Sequence, residues 1–157
     1  MPRILLPASL ESCSQAMFFL SEHVEAPYHD VLSFVELAVE ELLVNVVSYA
    51  YADPERTVGR GREDGHWGMV ELGCRMVRLD DMPYLCIWMR DWGAPFDPFQ
   101  EVPLPDTAQA LEDRSIGGLG VHLVKNVAVH YCYSGSDGEN TIELYFRLSS
   151  GTSADKI

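Results

Sequence analysis

The chain has 157 residues, 47% of them hydrophobic, enough for one cored domain and too few for two, so a single domain over residues 1–157 is expected. Its 24 acidic residues against 11 basic ones give a formal net charge of −13, which argues against nucleic-acid partners because phosphate backbones demand a basic footprint. No run approaches the roughly 18 apolar residues of a membrane span, and the start "MPRILLPASLES" has no targeting pattern, so a cytoplasmic protein without membrane contact is expected.

The chain opens with a strand-like stretch, "RILLPA", followed by helical character over residues 11–24 and a break at Pro27. A longer helix is predicted over residues 30–50, with Asp30 as its cap and Val31, Phe34, Val35, Ala38, Leu42 and Val46 recurring at steps of three and four. "YADPERTVGRGREDGHWG" reads as a loop. "MVELGCRMV" and "YLCIWMRDWG" read as neighbouring strands joined through the turn-rich "RLDDMP". Residues 94–120 contain four prolines and several glycines, with a short helical possibility at "DTAQALED", and long loops of this kind often serve as lids. "GLGVHLVKNVAV" then opens a helix, and "HYCYS" with "NTIELYFRL" forms a hairpin around "GSDGE". This order predicts an α+β fold, a two-layer sandwich of a mixed β-sheet with helices on one face.

Cys13, Cys74, Cys86 and Cys132 form no CxxC pair, and all but Cys13 sit in apolar strand-like runs where a buried thiol is the usual occupant. The five histidines show no metal-ligand spacing. Neither structural zinc nor a disulfide framework is expected.

Three polar motifs interrupt the apolar pattern. In "EELLVNVVSYAY", Glu41, Asn45 and Tyr49 are four apart and would share a helix face. They could bond each other or face water, or present a carboxylate and an amide to one ligand. In "RDWGAPFDP", Asp91 ends an apolar strand just before Gly93. This is either a turn-forming Asp-x-Gly or a buried acceptor for an exocyclic amine. In "GGLGVHLV", glycines precede a helix whose first amides lack partners. That is either a glycine-rich cap or a phosphate cradle, but it matches neither a Walker loop nor a Rossmann fingerprint.

Taken in order, "ELAVEELLVNVVSYAY", "DWGAPFDP" and "RSIGGLGVHLVKN", with "Y" and "GEN" near the last hairpin, resemble the anti-sigma-factor-type serine/threonine kinases of the GHKL ATP-binding superfamily, which share a histidine-kinase-like ATPase domain. The likeness covers roughly residues 36–147. It implies that Glu41 is the general base activating the attacking hydroxyl and that Asn45 holds Mg²⁺ against the phosphates, with Tyr51 as the aromatic near the helix end. Asp91 would receive the adenine amine and Gly93 would make room for the ring. Gly118 and Gly120, with Leu119 between them, would close backbone amides on the phosphates, and Arg114 would reach the terminal phosphate or the protein partner. Tyr49 and Val129 depart from the pattern, where many members carry His and Asp, and bear on partner choice.

The resemblance thus implies a kinase that uses ATP and Mg²⁺ to phosphorylate a small anti-sigma-factor-antagonist-like protein, with a sigma factor as a second partner and a homodimer as a compatible assembly. The rival expectation is an ATP-gated binding module without significant kinase activity. A detached histidine-kinase domain fits less well, because no helix pair carries a phosphoacceptor histidine.

Overall fold

Five strands form in the computed structural model, which describes residues 1–51, 65–101 and 118–147. These are β1 (Arg3–Pro7), β2 (Met69–Leu79), β3 (Met82–Asp91), β4 (His130–Ser136) and β5 (Glu139–Arg147). They form one sheet in the order β1-β2-β3-β5-β4. The expected two-layer α+β arrangement forms, but all neighbouring strands are antiparallel. The reason lies in the order: β3 and β4 do run parallel on either side of a helical crossover, and β5 is inserted between them.

The helices are α1 (Cys13–His23), α2 (Leu32–Asn45), the short α3 (Pro98–Glu101) and α4 (Gly118–Val127). Phe19 and Leu20 of α1, Val35, Val39 and Leu42 of α2 and Val124 of α4 share one core with Leu72, Leu85, Ile87, Leu144 and Phe146 of the sheet. Burying each such side chain contributes about 1.5–3 kcal/mol. The other sheet face carries charge. Arg3 pairs with Glu71 at 3.2 Å, Arg90 lies 3.6 Å from Glu139, and Arg75 pairs with Glu143.

Both hairpins are tight. Asp80 and Asp81 (φ 48° and 62°) turn β2 into β3, and Asp137 and Gly138 (φ 53° and 78°) turn β4 into β5. Positive φ at both central residues matches the twist of a two-residue hairpin.

Three local expectations are corrected. Asp30 caps nothing: Ala26–Val31, with Pro27 in its first turn, is already a 3₁₀ turn running into α2, so residue 30 has no free helix end to serve. The long helix also changes pitch, because Val46–Ala50 is a π-helical turn. That widening breaks the four-residue row at Tyr49, which is 45% exposed and stacks on Phe96 at 5.2 Å. Finally, Cys132 is exposed rather than buried, because β4 is an edge strand. The burial expected of the strand thiols holds for Cys74 and Cys86, and burial pushes the Cys86 thiol up to about 11.

Candidate functional site

Strand periodicity places the acidic residue. Leu85, Ile87 and Met89 point to the helix side of β3, and Asp91 continues their phase. Asp91 is only 6% exposed. Its Oδ1 accepts from Gly93 N and Asn140 Nδ2, both at 2.9 Å. Asn140 is the cross-strand partner of Asp91 and continues the inward phase of Ile142, Leu144 and Phe146 on β5. Burial raises the Asp91 carboxyl above its ordinary value, and the bonds from Asn140 and Gly93 oppose the rise.

Asn45 reaches the same place from α2. It is 5% exposed, and its Nδ2 is buried with no hydrogen-bond partner. An unpaired buried amide costs about 1–3 kcal/mol, so this one is poised for a partner from outside the fold. Asn45, Leu42, Ala50, Asp91, Ala94 and Phe96 line one cleft of about 10 Å³, the room of roughly one water. Two larger clefts of about 360 Å³ open at the start of β1 and on the outer sheet face, yet neither holds Glu41, Asn45 or Asp91. The convergence of buried polar groups makes the smaller cleft the candidate site.

One turn before Asn45, Glu41 lies against the start of α4: a Cβ at Gly120 would overlap its carboxylate. Burial, then the charge of Glu40, raises the Glu41 carboxyl above its ordinary value. Gly118 and Leu119 occupy the first turn of the same helix, where N–H groups lack intrahelical acceptors. Glu41, Asn45 and Gly120 are therefore brought together where α2 meets α4. Arg114 and the "DTAQALED" segment lie outside the described residues, as does the loop over residues 52–64.

The π turn and its continuation close the back of the cleft. The Tyr51 hydroxyl donates to Met69 O at 2.6 Å and accepts from Trp92 N at 3.0 Å. Ala94 N donates to Ala50 O at 2.7 Å. Gly93 is needed for that approach, since a Cβ there would collide with the Ala50 backbone. Asn140 was not singled out by sequence reasoning. Its signal was available, as a polar residue in the inward phase of an apolar strand.

An amide oxygen from Asn45 is the kind of hard donor that Mg²⁺ accepts. Buried amides are oriented by their surroundings, and either end of Asn45 can face the cleft. Among the described residues, no group of three or more His, Cys, Asp or Glu is placed to hold a metal. Mg²⁺ commonly takes one or two protein oxygens and completes its shell from phosphates and water, so these residues fit that ion in a nucleotide complex.

Residues 6–146 match the model of the histidine kinase-like ATPase domain. The chain is similar to "Serine/threonine-protein kinase BtrW" of Bordetella bronchiseptica, 29% identical over 108 residues. That stretch is 69% of this chain and 65% of the relative, so the match spans less than two thirds of the relative's length. Two solved structures are also similar. One is a histidine kinase domain from the blue-light activated kinase of Erythrobacter litoralis EL346, with TM-score 0.43, 14% identity and coverage of 85% of this chain and 61% of that one. The other is the Acinetobacter baumannii histidine kinase AdeS, with TM-score 0.45, 10% identity and coverage of 95% and 68%. Among the described residues, no helix is long and apolar enough to cross a membrane.

Proposed function

The chain belongs to the histidine kinase-like ATPase domain family, and from that premise we propose that it binds ATP with Mg²⁺ and transfers the terminal phosphoryl group to a serine or threonine of a small regulatory protein. One observation carries the reading: a buried carboxylate, Asp91, and a buried amide with an unpaired nitrogen, Asn45, meet at one cleft. A nucleotide complex supplies partners for both.

Asp91 is the acceptor for the adenine amine, and its bonds from Gly93 and Asn140 hold the carboxylate in place before the base arrives. The first turn of α4 offers N–H groups to the phosphate oxygens. Asn45 holds the metal, whose charge offsets that of the phosphates when bound. Glu41 takes the proton of the attacking hydroxyl as its oxygen bonds to the terminal phosphorus and ADP leaves. A carboxyl raised by burial is better matched to that task near neutral pH than an exposed one. In a chain of net charge −13, positioning and local neutralisation are the main requirements of phosphoryl transfer.

The protein substrate in this reading is an anti-sigma-factor-antagonist-like protein, and a sigma factor is a second partner held by sequestration. The similarity to a serine/threonine-protein kinase supports the choice of acceptor. The test is transfer of label from ATP, with Mg²⁺, to candidate antagonist proteins encoded nearby, for wild type and Glu41→Gln. Phosphoserine or phosphothreonine is expected with wild type, and a loss of about 10² to 10⁴ in rate with nucleotide affinity retained for the variant. Wild-type protein that binds both ATP and partner yet transfers nothing replaces the kinase with an ATP-gated binding module.

A further inference from the structure

We propose that Asn140, oriented by Tyr133 in space left by Gly135, is a positioning residue that fixes the acceptor face of Asp91 and makes the site choose a 6-amino purine over a 6-oxo purine. The proposal rests on the reading of Asp91 as the contact to the base.

The orientation of the Asn140 amide follows from its neighbours. Its Nδ2 lies 2.9 Å from Asp91 Oδ1, 3.3 Å from Gly93 O and 3.2 Å from Ala94 O. All three are acceptors. The reverse orientation would press the amide oxygen against a carboxylate and two carbonyls, with no hydrogen among them. At the other end, the Tyr133 hydroxyl donates to Asn140 Oδ1 at 2.8 Å, which completes the bonding of the amide in that orientation. Asn140 is 4% exposed, so water does not compete well for these bonds.

Gly135 makes the contact sterically possible. It is the cross-strand partner of Asn140 on β4, and a Cβ there would lie 2.6 Å from the Tyr133 hydroxyl oxygen. Its φ is not in the left-handed region, so the glycine supplies space and not backbone freedom. The chain of contacts therefore runs from Gly135 through the Tyr133 hydroxyl and the Asn140 amide to Asp91 and the turn behind it.

The chemical consequence is selectivity. Asn140 ties one Asp91 oxygen to the carbonyls of Gly93 and Ala94, fixing the carboxylate relative to the backbone that follows. An ionised carboxylate can only accept, and holding it fixes the direction from which it does so. A 6-amino group donates to it, whereas a 6-oxo group meets it oxygen to oxygen. Loosening the amide lets the carboxylate rotate and weakens this discrimination without touching the phosphate contacts.

The test is calorimetric titration of the full chain with ADP, GDP and inorganic tripolyphosphate, a probe without a base, alongside thermal melting. Tyr133→Phe and Gly135→Ala should each lower the ADP-to-GDP affinity ratio by about 3- to 10-fold, and Asn140→Leu by about 10-fold or more, the scale of one buried hydrogen bond. Tripolyphosphate affinity should stay at the wild-type value in all three. Tyr133→Phe and Gly135→Ala are mild changes and decide the matter even if Asn140→Leu fails to fold. If those two variants keep the wild-type ratio while Asp91→Asn abolishes it, the proposal is overturned and the base contact stands. If the wild type does not separate ADP from GDP, or its preference survives Asp91→Asn, the base contact itself is overturned and the proposal with it. Equal weakening of all three ligands also overturns it, as a general structural effect.

Discussion

Replacing Asp91 by asparagine keeps the volume and removes the charge, so it separates binding from folding. In the native chain Oδ1 accepts from Gly93 N and Asn140 Nδ2 at 2.9 Å each, and an asparagine oxygen can keep both bonds. What the variant presents to the base is then an NH₂ group, a donor facing the adenine amine. A hydrogen bond to a charged group is worth about 1.5–3 kcal/mol, which predicts nucleotide affinity weaker by about 10- to 100-fold. Stability should move the other way. Burial raises the carboxyl above its ordinary value of 3.8, so the folded chain binds the proton more tightly than the unfolded one. Folding is therefore penalised as pH rises from 3.8 through the raised value, and the penalty persists above it. Asparagine carries no such penalty, so the variant should gain stability relative to wild type across that window and keep the gain at pH 7. Calorimetry with ADP gives the first quantity, and denaturation at a series of pH values gives the second. Unchanged ADP affinity would refute the assignment of Asp91 to the base. A loss of affinity matched by a loss of folding would refute the separation of the two.

Asn45→Ala removes the buried amide whose nitrogen has no partner, so its effect on folding should be small while the Mg²⁺-dependent part of ATP affinity is lost; titrations with and without Mg²⁺ that respond equally would count against a metal role. Tyr51→Phe leaves both Met69 O and Trp92 N without the hydroxyl and should cost about 1–3 kcal/mol in chemical denaturation, and an unaltered midpoint would mean that water replaces it.

Much of the architecture could be read from periodicity. The continuous apolar run that holds Leu85, Ile87 and Met89 marks a strand, and the glycines at the start of α4 mark that helix. Asp91, Asn45 and Glu41 stood out as polar residues beside apolar runs, and their expected roles came from the order of the three motifs and the resemblance it carries. What escaped depends on long-range geometry. The insertion of β5 between β3 and β4 has no local signature, because either strand order satisfies the same alternation. The π turn at Val46–Ala50 is also invisible locally, since its residues suit an ordinary helix, and its pitch goes with the fastening of Tyr51 and Ala50 to β2 and to the turn after β3. Asn140 was quoted within "GEN" but given no role, because its place comes from register: only the pairing of β3 with β5 sets it opposite Asp91.

The two hairpin turns, alike in backbone, differ as places to attach something. Asp80 and Asp81 lie at the opposite end of β3 from Asp91, nine strand steps or about 30 Å away. A fluorophore, tether or short peptide inserted there would extend the hairpin outward and leave the cleft alone, as exposed loop tips generally allow. Asp137 and Gly138 stand two or three residues from Asn140. An added residue in that turn would slip β4 against β5, and a slip of one residue sends each side chain to the other face. Tyr133 would then leave Asn140, so the second turn works as the gauge block of the site and the first as its free handle.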